Sequence, residues 1–396
     1  MNILLWRHWT PLYDPPATFS TLETRGIGGT ESQLLWHAKN LVLLGHRVQV
    51  LGVSPTDLKE EGVGFVGARN QAEQERVIEA GRLGALDAIF TEGGFEAVPF
   101  LRAHFPTVPI VHVGQNIDRA HQGKDSPLSL AKYIDLFGFV GHGHFAEYCT
   151  RYPKLRHKFV MLPNVVPWEW IYKDIPRGPV GNKIVWVGSW SKQGLRQWAL
   201  TMKTILDEHQ DYEWVLCGPS YGLDDRGLPA HVLRNIDLPL KRVSVANLPL
   251  RHLAQVISQA RAVVVSLGGE AGPGSVLDAH AMARPVISGN DMVYKYASPE
   301  GTGVRVYSDR DRYSALSLLI ENHSLGDRIG KLGQEFVLAN YVEEHQKAAL
   351  KHIIEFIQLK REARAISETA PVTPLKETFD RNVERLGRRW AIFQRN

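Results

Sequence analysis

Apolar and polar positions alternate between two periods along most of the chain. Ile3, Leu4, Leu5 and Trp6 form a short continuous apolar run, as in a strand buried on both faces. A loop rich in Pro, Thr and Gly ends at Gly26-Ile-Gly-Gly-Thr-Glu31. From there Leu34, Leu35, Ala38, Leu41 and Val42 recur at helical spacing until Gly45, placed where a helix stops. Val48, Val50 and Leu51 supply the next strand, so the opening segment predicts a βαβ unit with a right-handed crossover. Further strands are expected at 88–90, 108–112, 137–140 and 159–162. A Pro- and Trp-rich stretch then runs from Pro163-Asn164 to Gly181, and a second alternating series follows at 183–188, 213–218, 242–245, 262–266 and 285–288. The architecture implied is α/β: two open, doubly wound parallel sheets in tandem. Residues 1–165 form the first domain, 166–182 the hinge, 183–345 the second domain and 346–396 a helical extension. The charged tail ending at Trp390-Ala-Ile-Phe393 is expected to dock back on the first domain as a helix.

Composition narrows the function classes. A length of 396 residues is enough for two or three domains, each with its own core. Two cysteines, Cys149 and Cys217, make no disulfide framework. With 46 basic and 42 acidic residues the net charge is +4, too balanced for nucleic acid as the main ligand, while a basic pocket for an anion stays open. No apolar run reaches the roughly 18 residues of a spanning helix. The first residues meet a charge at Arg7 and read as a strand and not as a signal peptide. The expected location is the cytosol, with peripheral membrane contact left open.

Two glycine-rich loops open helices. The first contains Gly28 and Gly29, followed by Thr30 and Glu31. It lacks the spacing of a dinucleotide fingerprint or a P-loop, and it also reads as a plain tight turn. The second, Glu270-Ala-Gly-Pro-Gly-Ser-Val-Leu-Asp278, follows a strand and starts a helix. The small residues Ala271, Gly272, Gly274 and Ser275 leave backbone amides accessible at a helix N-terminus, where an anion binds, and Pro273 and Val276 complete the expected donor-binding segment. Glu270 and Asp278 bracket that anion site. Each carboxylate can accept hydroxyl hydrogen bonds, Glu270 from a hexose and Asp278 from a ribose, which suits a nucleotide diphosphate sugar.

This second segment resembles the E-x7-E element of the retaining GT-B glycosyltransferases of the family-4 type, with Glu270, Pro273, Leu277, Ala279, Ala281, Pro285 and Val286 at matching positions. Asp278 stands for the second Glu, His280 for a Met and Ala283 for a Gly. Gly28-Gly-Thr-Glu31, Gly45-His46 and Leu162-Pro-Asn164 resemble other parts of the same family, so the likeness covers about residues 1–345. The resemblance implies two Rossmann-like domains facing a cleft. It implies transfer of a hexose, UDP-glucose being the first donor expected, to a saccharide or lipid-linked saccharide acceptor, with retention and without a metal. The C-terminal domain would hold the donor. The family places an Arg and a Lys after the first strand of that domain; here Gly188 is followed by Ser189 at the Arg position, then Lys192, with Arg196 as a second cation. Both cations also fit a solvated helix start. By the same resemblance His112 positions the hexose, and Thr30, Glu31, Gln115 and Asn116 belong to the acceptor loops. Two other readings stay open, a UDP-sugar epimerase of the same fold and a non-catalytic nucleotide-sugar binder. His142 and His144 lack further ligands at zinc-like spacing. Asp309-Arg-Asp311 is expected to be a helix cap or turn, and the tryptophans near the hinge are expected to pack.

Overall fold

A computed structural model describes the chain except for residues 9–15, 93–96, 116–126, 177–178, 189–193, 219–221, 266–273, 290–297 and 370–396. Two compact units interleave along the sequence. The first comprises Met1–Leu12, His37–Leu162 and Gln346–Asn396; the second comprises Tyr13–Trp36 and Pro163–His345.

The first unit is built on an eight-stranded sheet. Its strands are β1 (Asn2–Arg7), β2 (Arg47–Leu51), β3 (Leu58–Glu60), β4 (Val63–Val66), β5 (Ala88–Glu92), β6 (Ile110–Gly114), β7 (Leu136–Phe139) and β8 (Phe159–Met161). They lie in the order β3-β4-β2-β1-β5-β6-β7-β8, parallel except for the β3–β4 pair. The hydrophobic run of β1 is buried from Ile3 to Trp6, as a strand covered by helices on both faces requires. Helix α1 (Phe19–Thr24) precedes α2 (Gly29–Leu43), and α2 stops where its sequence says it should. Gly45 takes φ +84°, and its N–H and that of His46 return to the carbonyls of Val42 and Leu41. The β3–β4 hairpin had no counterpart in the sequence reading, because strands of three and four residues are too short for a period to stand out.

Helices α3 (Gln71–Glu79), α4 (Ala97–His104), α5 (Pro127–Leu130) and α6 (His142–Arg151) complete the crossovers of the first unit. The second unit carries α7 (Leu195–Glu208), α8 (Ala230–Leu233), α9 (Leu250–Ser258), α10 (Gly274–Ala281), α11 (Asp309–Glu321) and α12 (His323–Asn340), and the chain's last described helix is α13 (Glu343–Thr369). The helix that returns to the first unit is α13, ahead of the tail expected to do so, and the tail itself lies outside the described residues. Leu350, Ile353, Ile354 and Ile357 form its buried stripe. Polar contacts fix its register: Asn40 donates to Gln346 Oε1 at 2.7 Å, Lys360 to Asp135 Oδ1 at 2.7 Å, and Arg361 pairs with Asp87 at 2.6 Å.

Six parallel strands make the sheet of the second unit: β9 (Lys183–Val187), β10 (Glu213–Cys217), β11 (Val243–Ala246), β12 (Ala260–Val264), β13 (Val286–Ser288) and β14 (Gly303–Arg305). Their order is β11-β10-β9-β12-β13-β14. One face packs α7 and α11 around Trp186, Trp198, Met202, Trp214 and Leu316. The other packs α9, α10 and α12 around Val185, Ala254, Val263, Leu277 and Val337. Trp186 and Trp198 are thus core residues, and Trp170 packs on Trp36 with ring centroids 5.2 Å apart. The linker is also held by this unit. Val165 and Gln33 exchange two hydrogen bonds, Val166 donates to Tyr341 O at 2.7 Å, and Glu343 Oε1 accepts from the amides of Glu169 and Trp170. Among the described residues no helix is long and apolar enough to cross a membrane.

The end of α10 is strained. Ala283 follows it with φ +54°, in the left-handed region that alanine adopts at a cost of about 1–2 kcal/mol. The turn is a helix C-cap, with Ala283 N donating to His280 O and Arg284 N to Ala279 O, each at 2.9 Å. Gly330 of α12 approaches so closely that a Cβ there would sit 2.0 Å from Ala283 O. Replacing Ala283 with glycine relieves the strain but adds about 0.4–1 kcal/mol of unfolded-chain entropy. Ala283→Gly is therefore expected to stabilise the protein by about 0.5–1 kcal/mol in chemical denaturation, and Ala283→Val to destabilise it. Equal midpoints for all three proteins would remove the strain argument.

Candidate functional site at the strand-order reversal of the second sheet

In an open parallel sheet every strand ends at the same edge, and a crevice forms where neighbouring strands send their connections to opposite faces. In the second unit that point lies between β9 and β12. The chain leaves β9 for α7 on one face, and leaves β12 for α10 on the other. These are the two connections that carry the sequence-predicted donor residues.

Gly188 ends β9 with φ +147°, a backbone state that side chains rarely take, and its N–H donates to Cys217 O at 2.9 Å. Ser189 and Lys192 lie outside the described residues. Arg196 sits in the first turn of α7 as expected, but its guanidinium engages α8, on the β10 side of β9, donating to Val232 O at 3.1 Å. It lines an open cavity of about 940 Å³ with Asp224, Arg226 and Arg234. Arg226 is committed there to Asp224 and to three backbone carbonyls.

Across the reversal, Glu270, Ala271, Gly272 and Pro273 lie outside the described residues, and α10 begins at Gly274. A Cβ on Gly274 would meet nothing within 4 Å among the described residues. Ser275 Oγ is buried and has no partner among the described residues. Val276 corrects one expectation: its side chain is fully buried in the core, which leaves only its backbone available to a ligand.

Asp278, one turn into α10, is partly buried and accepts a hydrogen bond from Tyr172 Oη at 2.7 Å. Burial raises its carboxyl to a pKa of about 7, an effect the Tyr172 hydrogen bond reduces. Tyr172 itself is 1% exposed. Burial and the adjacent carboxyl push its hydroxyl well above the usual phenol range, so it remains a donor. Sequence reasoning missed Tyr172, because a lone tyrosine in a Pro- and Trp-rich linker has no spacing that ties it to a helix 106 residues later. Two residues on, His280 is fully buried, with Nε2 3.1 Å from Ser298 Oγ, which is in turn 2.8 Å from Thr302 Oγ1. Burial lowers its pKa to about 4.

The loop residues Gly28 to Glu31 belong to the second unit. Gly28 is the N-cap of α2, its carbonyl accepting from Ser32 N at 2.9 Å. Gly29 is exposed and Thr30 partly so. Glu31 is 3% exposed and folds back over Gly28, where a Cβ would sit 2.0 Å from its Oε2, the reach expected of a glutamate at the third helical position. Its described surroundings are those of a helix terminus, where an open acceptor loop was expected.

His112 belongs to the first unit. It was expected at a strand end; instead it is the central residue of β6, paired in register with Thr91 of β5 and Phe137 of β7, and 3% exposed. The strand runs two residues further than its sequence indicated, because Pro109 delays its start. Gln115 is partly buried just past β6, and Asn116 lies outside the described residues. His144 stacks edge-on between Phe139 and Tyr148, and Asp311 caps α11 together with Ser308, so neither marks a ligand site.

The opposed pKa shifts of Asp278 and His280 make a testable pair. A raised carboxyl keeps its proton in the folded state, so its contribution to stability falls as pH rises from 3.8 to about 7. A depressed imidazole refuses its proton, so its contribution falls as pH drops from 6.5 to about 4. The two slopes offset each other between these limits. Relative to wild type, Asp278→Asn is expected to steepen the gain in melting temperature between pH 4 and 6.5, and His280→Met to produce a loss over the same range. Parallel pH profiles for the three proteins would contradict the assignment.

The chain matches no protein-family model and no curated protein sequence. Solved structures do resemble it. Sucrose-phosphate synthase from Thermosynechococcus elongatus superposes with a TM-score of 0.66 at 14% identity, covering 89% of this chain and 98% of that one. HepE from Anabaena, solved in complex with UDP-glucose, gives 0.65 at 14% identity over 90% and 100%. WaaG, a glycosyltransferase involved in lipopolysaccharide biosynthesis, gives 0.60 at 11% identity over 88% and 98%. Likeness at such identities speaks for architecture, and with two doubly wound sheets in one chain that architecture is the GT-B fold of two Rossmann-like domains.

Proposed function

We propose that the chain is a glycosyltransferase that moves a hexose from a nucleotide diphosphate sugar, UDP-glucose first, to a hydroxyl of a saccharide or lipid-linked saccharide acceptor, with retention and without a metal. The observation that carries this reading is the start of α10. It lies at the strand-order reversal, where a Cβ on Gly274 would meet no described atom within 4 Å, with Ser275 Oγ lacking a partner among the described residues and the Asp278 carboxyl one turn further in. A helix N-terminus attracts an anion, and the carboxyl beside it accepts hydroxyl donors, the two demands of a nucleoside diphosphate. The fold neighbours that were solved with UDP or UDP-glucose support a donor of that class.

In this reading the amides of 274–276, with Lys192, offset the charge of the departing diphosphate, while Arg196 is engaged with α8. Glu270 accepts from the hexose hydroxyls, Asp278 from the ribose, and His112 keeps the role of positioning the hexose. The anomeric C–O bond to the diphosphate breaks as the acceptor oxygen bonds to the same carbon. The departing phosphate oxygen takes the acceptor's proton, so no separate general base is required. Electrostatic stabilisation of the leaving group carries most of the rate enhancement.

Glu270→Ala is expected to lower UDP release from UDP-glucose in the presence of acceptor extract by about 100-fold or more, with melting temperature preserved. Wild-type turnover in that variant would sink the assignment. Donor incubated alone and followed by NMR separates the readings left open by the sequence: an epimerase changes the sugar without any acceptor, whereas a transferase leaves it intact until acceptor is added.

A further inference from the structure

Tyr172 lies outside the segment to which a donor site was assigned, yet its hydroxyl donates to the Asp278 carboxyl. Its ring is buried in the core beneath α10, among Val166, Ile175, Val185 and Leu277. Its backbone is fixed as well. Tyr172 N donates to Pro167 O, and the amides of Glu169 and Trp170, at the start of the same turn, are held by Glu343. A hydroxyl anchored in this way offers its proton at one place, and Asp278 Oδ1 is there at 2.7 Å.

The consequence for the carboxylate is geometric. A free aspartate on a helix samples several rotamers, and each would aim its second oxygen differently. With Oδ1 tied to Tyr172, one rotamer is selected, and Oδ2 is left to face a ligand in one direction. The shorter side chain also matters: Asp278 replaces the glutamate of the resembled pattern, and a shorter carboxylate with a fixed tether is stiffer than a longer free one.

We propose that Tyr172 is a positioning residue which, by fixing Asp278, sets the selectivity of the site for a nucleoside diphosphate bearing intact ribose hydroxyls. The inference rests on the donor-site reading above and goes beyond it by naming the group that makes Asp278 selective. Tyr172 touches no ligand itself. Its effect therefore appears in discrimination between ligands and not in general affinity.

The test is calorimetric titration of UDP, 2′-deoxy-UDP and 3′-deoxy-UDP into wild type, Tyr172→Phe and Asp278→Ala. Wild type is expected to prefer UDP over at least one deoxy analogue by about tenfold or more, as a hydrogen bond to a charged group allows. Asp278→Ala should bring that ratio near one. Tyr172→Phe, which keeps the ring and its packing, should lose most of the ratio while still binding the deoxy analogue within about threefold of wild type. A Tyr172→Phe protein that discriminates as wild type does, or better, overturns the inference and leaves the donor-site reading intact. A wild type that binds no nucleoside diphosphate overturns the donor-site reading, and with it the inference. Binding without discrimination in wild type overturns the inference alone. If Tyr172→Phe does not fold, 3-fluorotyrosine placed at 172 by codon suppression gives a stronger donor and should raise the ratio; an unchanged ratio counts against the proposal.

Discussion

Where two parallel strands end side by side and their chains depart to opposite faces of the sheet, no crossover covers the amides at that edge. In the second unit this constraint falls between β9 and β12, and everything said about ligand binding follows from it. The left-handed Gly188 lets the chain turn away at the end of β9. On the other side α10 starts at Gly274, where a Cβ would meet nothing within 4 Å among the described residues. Neither feature would matter if the strand order did not reverse here, because the next crossover would bury both.

A helix start is useful only if the helix cannot slide, and α10 is held at its C-terminal end and at its middle by parts of the chain distant in sequence. At its C-terminal end, Gly330 and Gly333 bring α12 so close that side chains there would strike Ala283 O and His280 Nδ1. That close approach holds Ala283 in its left-handed state. In the middle, Tyr172 ties Asp278 to the linker, which is itself bonded to Gln33, Tyr341 and Glu343. The helix therefore transmits constraints from four segments to one carboxylate. Strain at a non-glycine left-handed residue persists only where its surroundings over-determine it, and here they do.

The strands were legible in the sequence because buried parallel strands are continuous apolar runs, as at Ile3–Trp6, and because Gly45 and Pro163 mark ends by their own stereochemistry. Errors of two residues arose at 108–112 and 262–266, where apolar side chains continue past the point at which hydrogen bonding begins or ends. The edge strands β3 and β14 and the short β4 beside β3 were invisible, being only three or four residues long. For the site, residue type and spacing located α10 and Asp278 but could not tell which neighbours would reach them. Val276 shows the limit in one direction, since a residue in a ligand loop can still point into the core. Tyr172 shows it in the other, since only the folded chain brings position 172 to position 278.

The three departures from the resembled pattern on α10 are Asp278, His280 and Ala283, and each has a physical counterpart elsewhere in the unit. The shortened acid meets Tyr172. The imidazole that stands for a methionine meets Ser298 at Nε2, backed by Thr302, while its buried Nδ1 has no partner among the described residues, and it stays neutral because burial depresses its pKa. The alanine that stands for a glycine is pinned by the bare backbone of Gly330. The structure has a helix on which burial moves two neighbouring groups in opposite directions, raising the Asp278 carboxyl to a pKa of about 7 and lowering the His280 imidazole to about 4. A ligand hydroxyl at Asp278 would meet a carboxyl poised to lose its proton on contact with a better donor. Such a site is sensitive to what binds it in a way a fully ionised glutamate would not be.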